Sequence, residues 1–114
     1  MYAEPMAFFH FRVRIYHRGK FFRAYLLSLS ETGALFALDS QEYLQVDSSR
    51  SIRGSVDSRH GTELEFKGKI IRKEGLEVRG QFFYTVSVEF EVPRILSDVL
   101  LATTLSLHQD QDFA

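Results

Sequence analysis

Apolar and polar residues alternate along most of this chain. In "FFHFRVRIYH" (8–17), Phe9, Phe11, Val13 and Ile15 fall on one face, and His10, Arg12, Arg14 and Tyr16 on the other. That period of two predicts a half-buried strand. "HRGK" (17–20) supplies a hairpin turn at Gly19. "FFRAYLLSLS" (21–30) runs back, with Tyr25, Leu27 and Leu29 on one face and Ala24, Leu26, Ser28 and Ser30 on the other. "ETG" turns the chain again into a third strand, "ALFAL" (34–38).

Residues 39–50 are polar and read as a loop, and 51–56 as a weak strand ending before a turn at Gly61. "TELEFKGKIIRK" (62–73) alternates through Leu64, Phe66 and Ile70, with an expected bulge at Gly68. Residues 74–81 read as a long hairpin tip. "FFYTVSVEFEV" (82–92) is the last strand, with Phe83, Thr85 and Ser87 opposite Phe82, Tyr84, Val86, Val88, Phe90 and Val92.

The period then changes. Pro93 suits the first turn of a helix, and "RILSDVLLATTLSL" (94–107) has helical spacing. Ile95, Leu96, Val99, Leu100, Thr103 and Leu107 make a core-facing stripe that would seal a barrel end. Leu101 and Leu105, four apart, form a second apolar ridge pointing away from it, a candidate surface for a protein partner or a second copy of the chain. The pattern predicts one all-β domain over 1–107, a six-stranded antiparallel β-barrel with one C-terminal α-helix at about 94–107. A fraying tail follows at 108–114.

With 114 residues, 45% of them hydrophobic and eleven phenylalanines, the chain can fill a small barrel. The net charge of −1 gives no global field toward nucleic acid or membrane. Locally the charge is uneven. Arg12, Arg14, Arg18, Lys20 and Arg23 stand against Glu4 in residues 1–23, and Glu89, Glu91, Asp98, Asp110 and Asp112 against Arg94 in residues 89–114. No segment has a signal-peptide pattern or the length of a membrane span, so the expectation is a soluble cytoplasmic protein.

The chemistry-bearing residues do not assemble into an enzyme. There is no cysteine, which excludes disulfides and thiolate metal sites. His10, His17, His60 and His108 have no helical i, i+4 partner and no carboxylate cluster, so they read as surface histidines and no metal is expected. No Gly-x-Ser-x-Gly elbow or phosphate loop is present, and Glu89 and Glu91 share one solvated strand face. Neither catalytic residues nor a cofactor are expected.

One stretch carries more. Ser28-Leu29-Ser30-Glu31-Thr32-Gly33, running into "ALFAL", resembles the Asp/Asn-x-Ser-x-x-Gly motif of the PilZ domains. "FKGKIIRKEG" and "YTVSVEFEVPRILSDVLLATTL" are similar to that family's later strands and terminal helix, so the resemblance spans roughly 8–107. It implies a six-stranded barrel with a C-terminal helix that serves bacterial signalling as a receptor for cyclic di-GMP. It also implies Ser28, Ser30 and Gly33 as ligand-site residues, exposed beside the strand 8–16 hairpin. The glycine permits a tight or left-handed turn that brings backbone N–H groups close to a ligand.

Two departures alter that expectation. Ser28 replaces the Asp/Asn, and a hydroxyl cannot make the paired contact of a carboxylate with a guanine edge. The family's Arg-x-x-x-Arg, expected ahead of the first strand, falls on "MYAEPM", which has no arginine. Arg14 to Arg18 matches the spacing only as text, because it spans a strand end and a turn. Losing two charge-assisted hydrogen bonds of about 1.5–3 kcal/mol each removes much of the roughly 8 kcal/mol behind a micromolar ligand. The expected function is therefore a PilZ-like regulatory domain that acts through a protein partner, with weak or absent cyclic di-GMP binding. A homo-oligomer through the C-terminal helix is the accompanying expectation. Two rival readings stay open. One is a cyclic di-GMP effector whose arginines have moved to Arg12 and Arg14. The other is a barrel that binds single-stranded nucleic acid on the outward face of His10, Arg12, Arg14 and Tyr16.

Overall fold

Strand β1, Arg12–His17, starts the barrel, and its inward residues Val13, Ile15 and His17 are buried. The computed structural model describes residues 11–78, 80–98 and 100. The Arg18-Gly19 turn, with both residues at positive φ, leads into β2, Lys20–Leu29. β3 is Gly33–Leu38, and a one-and-a-half-turn helix α1, Ser40–Gln45, follows it. β4 is Ser51–Ser58, β5 Gly61–Val78 and β6 Gln81–Phe90.

All strand pairs are antiparallel, and the sheet closes in the order β1-β2-β3-β6-β5-β4. Closure brings β1 against β4, with Arg14 opposite Ser55 and Arg12 opposite Asp57. The interior stacks Phe36, Phe66 and Phe90, with neighbouring ring centroids 5.4 and 5.2 Å apart. Leu96 and Leu100 join this core from beyond β6.

Three bulges break the alternation. Leu26 pairs with Phe36 and Ser28 with Leu35, so Leu27 is an extra residue in β2. Ile71 is extra in β5, between Ile70 and Arg72, and Glu63 is extra opposite the Val56-Asp57 step. The bulge expected at Gly68 is therefore three residues away. Gly68 answers a different need, since a β-carbon there would run into the Glu89 carbonyl oxygen. The β2 bulge also corrects the faces read from the sequence. Phe22, Ala24 and Leu26 point inward before it, Leu27 and Leu29 after it, and Tyr25 lies outside.

Other boundaries differ from expectation. The loop at 39–50 contains α1, whose N-cap Asp39 accepts a 2.8 Å hydrogen bond from the Glu42 N–H. β5 continues through the supposed hairpin tip to Val78. There it pairs with β6 alone, because its contact with β4 ends at Lys69. Residues 93–97 are not helical, and Ser97, not Pro93, caps the helical segment: its Oγ accepts from the Leu100 N–H at 3.3 Å, and the helix expected beyond Leu100 lies outside the described residues. Ile95, expected in the core, is 91% exposed. Phe21 and Phe82 are likewise outside, at 47% and 62% exposed.

Candidate functional site

The serine motif is built by the β2 bulge. With Leu27 inserted, Ser28 and Ser30 face outward while Leu29 is buried. The Ser30 N–H donates to the Gly33 carbonyl at 2.9 Å and closes the β2–β3 turn. The Ser30 hydroxyl oxygen accepts from the Thr32 N–H at 3.2 Å and lies 3.2 Å from the Thr32 hydroxyl. This is the local side-chain-to-backbone bond typical of serine in turns. Next, the Phe90 N–H donates to the Thr32 carbonyl and the Arg94 N–H to the Glu31 carbonyl, both at 2.8 Å. The turn thus pins the chain as it leaves β6.

Gly33 is required here for a reason other than the expected one. It is not among the glycines at positive φ. A β-carbon on it would instead collide with the Val88 carbonyl oxygen of the neighbouring β6. Glycine lets β3 approach β6 closely, which is a packing role.

Ser28, Ser30 and Gly33 line one shallow hollow of about 250 Å3 between the turn, β5 and β6. Ile71, Ser87 and Glu89 complete its wall. Its one charged lining group is Glu89, whose carboxylate lies 3.4 Å from Lys69 Nζ.

Arg12 and Arg14 lie elsewhere, in a groove of about 980 Å3 along β1, β2, the end of β4 and the β4–β5 turn that carries Arg59. Arg14 Nε is 2.8 Å from Asp57 Oδ2 and 3.2 Å from Ser55 Oγ. The five ligand-site residues picked from the sequence therefore divide between two surfaces. The groove also contains Arg23, Arg59, Phe21 and Tyr25, which the sequence reading did not single out. Their signal was present in the alternation of β2, with Arg23 opposite Arg14 once the hairpin register is known. Leu101, Leu105 and His10 lie outside the described residues. Among the described residues no group of three or more His, Asp or Glu could hold a metal ion, and no helix is long and apolar enough to cross a membrane.

The family model of the PilZ domain matches residues 7–103. The chain belongs to the PilZ family. PilZ domains are cyclic di-GMP-binding signalling domains, with a binding and regulatory role in place of catalysis. Among solved structures, the PilZ barrel seen here is similar to the Borreliella burgdorferi PlzA protein in complex with c-di-GMP. The TM-score is 0.59 at 10% sequence identity, over 99% of this chain and 50% of that one. The likeness is one of fold, and this PilZ chain spans half the length of PlzA. No curated protein matches the chain significantly.

Proposed function

We propose that this PilZ domain transmits a signal by contact with a protein partner, and that its serine turn binds cyclic di-GMP weakly or not at all. The observation that carries this reading is the lining of the hollow. Its charge is the Glu89 carboxylate, which opposes a phosphate, and the Ser30 oxygen is engaged within its own turn. The stretch from Met1 to Phe11 carries no arginine to supply the missing cations. Support for a protein contact comes from large apolar side chains left in water. Leu44 is 77% exposed, and Phe82 and Ile71 are more than half exposed.

Calorimetric titration with cyclic di-GMP tests the first half. No heat of binding is expected at micromolar ligand, and a micromolar isotherm overturns it. If an isotherm appears and Arg12→Ala abolishes it while Ser28→Ala does not, the ligand sits in the arginine groove, the reading with displaced arginines. For the second half, Leu44→Glu combined with Phe82→Glu should remove partner association from cell extract while the barrel still melts cooperatively. Unchanged association overturns this choice of surface.

A further inference from the structure

We propose that the groove along β1, β2, the end of β4 and the β4–β5 turn binds single-stranded nucleic acid. Arg12, Arg14, Arg23 and Arg59 line this groove against one acid, Asp57. The Oδ1 of Asp57 is buried and has no hydrogen-bond partner among the described residues, and its Oδ2 holds Arg14 Nε at 2.8 Å. That contact fixes the Arg14 guanidinium by its Nε edge and leaves its terminal nitrogens for a ligand. Arginine's planar fork suits phosphate oxygens better than lysine's point charge.

The aromatic residues decide the ligand class. Phe21, Arg23 and Tyr25 alternate on β2, so they share its outer face at steps of about 7 Å. Phe21 is 47% and Tyr25 58% exposed, with Arg23 between them. Tyr16 of β1 packs on Phe21 with ring centroids 5.4 Å apart and widens the platform. An acidic peptide would use the guanidinium groups and leave the rings idle. A single strand uses both, with phosphates on the arginines and bases on the rings, and such platforms tolerate any base sequence. A net acidic chain does not argue against this, because the groove's field is local. This inference is independent of whether the serine turn binds cyclic di-GMP, and concerns a different surface.

The test is fluorescence anisotropy with a labelled oligothymidylate of about a dozen nucleotides, first at about 50 mM salt and then at rising salt. Binding is expected, with log K falling against log salt at a slope of about −2, the value for about three phosphates on a single strand. Arg23→Glu with Arg59→Glu should abolish it. Tyr25→Ala should weaken it on the order of 5- to 100-fold at an unchanged salt slope, since stacking releases no counterions. Lys67→Glu with Lys69→Glu makes the same change in net charge on another face and should leave affinity within about twofold of the unaltered chain beyond the long-range salt effect. Absence of binding at about 50 mM salt overturns the proposal. So does a Tyr25→Ala variant that is folded and binds like the parent. Equal competition by polyglutamate, or by equimolar cyclic di-GMP, also overturns it and assigns the groove to an acidic polypeptide or to a nucleotide.

Discussion

The Nε2 of His17 accepts a 2.9 Å hydrogen bond from the backbone N–H of Asp47. Across the same ring, Nδ1 lies 3.2 Å from the Ser51 carbonyl, so the imidazole donates there and accepts at the other nitrogen. His17 is 2% exposed and ties the end of β1 to the segment joining α1 and β4. Sequence alone made it a surface histidine, because nothing in 8–17 shows what α1 brings over the barrel end.

Replacing it should be costly. His17→Ala leaves the part-buried Asp47 N–H and Ser51 carbonyl without their partner and opens a cavity at a buried position, for an expected loss of about 2–5 kcal/mol. Urea denaturation checks this, and a variant within about 0.5 kcal/mol of the parent would contradict the linkage.

Gly33→Ala should destabilise the domain by about 1–3 kcal/mol, because the new methyl meets the Val88 carbonyl and β3 must move off β6. Ser30→Ala removes only an exposed turn contact and should cost less, about 0.5–1 kcal/mol. Thermal melts of the two variants side by side give the order, and a larger loss for Ser30→Ala would refute this account of the turn.

Acid should weaken the join between β4 and β5. The Ser58 hydroxyl donates to Glu63 at 2.6 Å, and the Ser97 hydroxyl adds a second bond, so the Glu63 carboxyl is held below its ordinary value of 4.5. A depressed folded-state pKa gives stability that is fully present above pH 4.5 and is lost as the pH falls below it. Asp47, held below 3.8 by its bonds from Ser49, adds a loss of the same sign at lower pH. Glu63→Gln should flatten the fall in melting temperature below pH 4.5 relative to the parent. An identical pH profile would rule out this role for Glu63.

The strand sequence and the antiparallel barrel were legible because alternation survives wherever a strand has one wet face, as in Phe11 to His17. The bulges were not legible, because an inserted residue reverses the faces without changing composition. Leu26 and Leu27 are both buried, and no sequence rule says which of two adjacent leucines is the extra one. The sequence makes 74–81 a hairpin tip, whereas Gly75 sits in a continuous strand. It lies within β5 because the Phe82 ring covers it, with Cζ 2.5 Å from where a β-carbon would stand. At the candidate site, the serine motif and its exposure could be read, but not the separation of Arg12 and Arg14 from it. That separation depends on closure of β1 onto β4, a pairing across some forty residues of chain.

The outer half of β5 determines how this barrel meets other chains. Among the described residues Arg72–Val78 has a strand on one side only, since β5 pairs there with β6 and no longer with β4. A row of unpaired amides invites strand addition and, between copies, edge-to-edge aggregation. Here the row is short and is kinked at its start by the Ile71 bulge. It is studded with Arg72, Lys73, Glu74 and Glu77, and Lys73 Nζ is drawn to the Val46 carbonyl at 2.9 Å. Each of these features discourages a flat partner strand. Copies of the domain should therefore not join edge to edge along β5, even at high concentration.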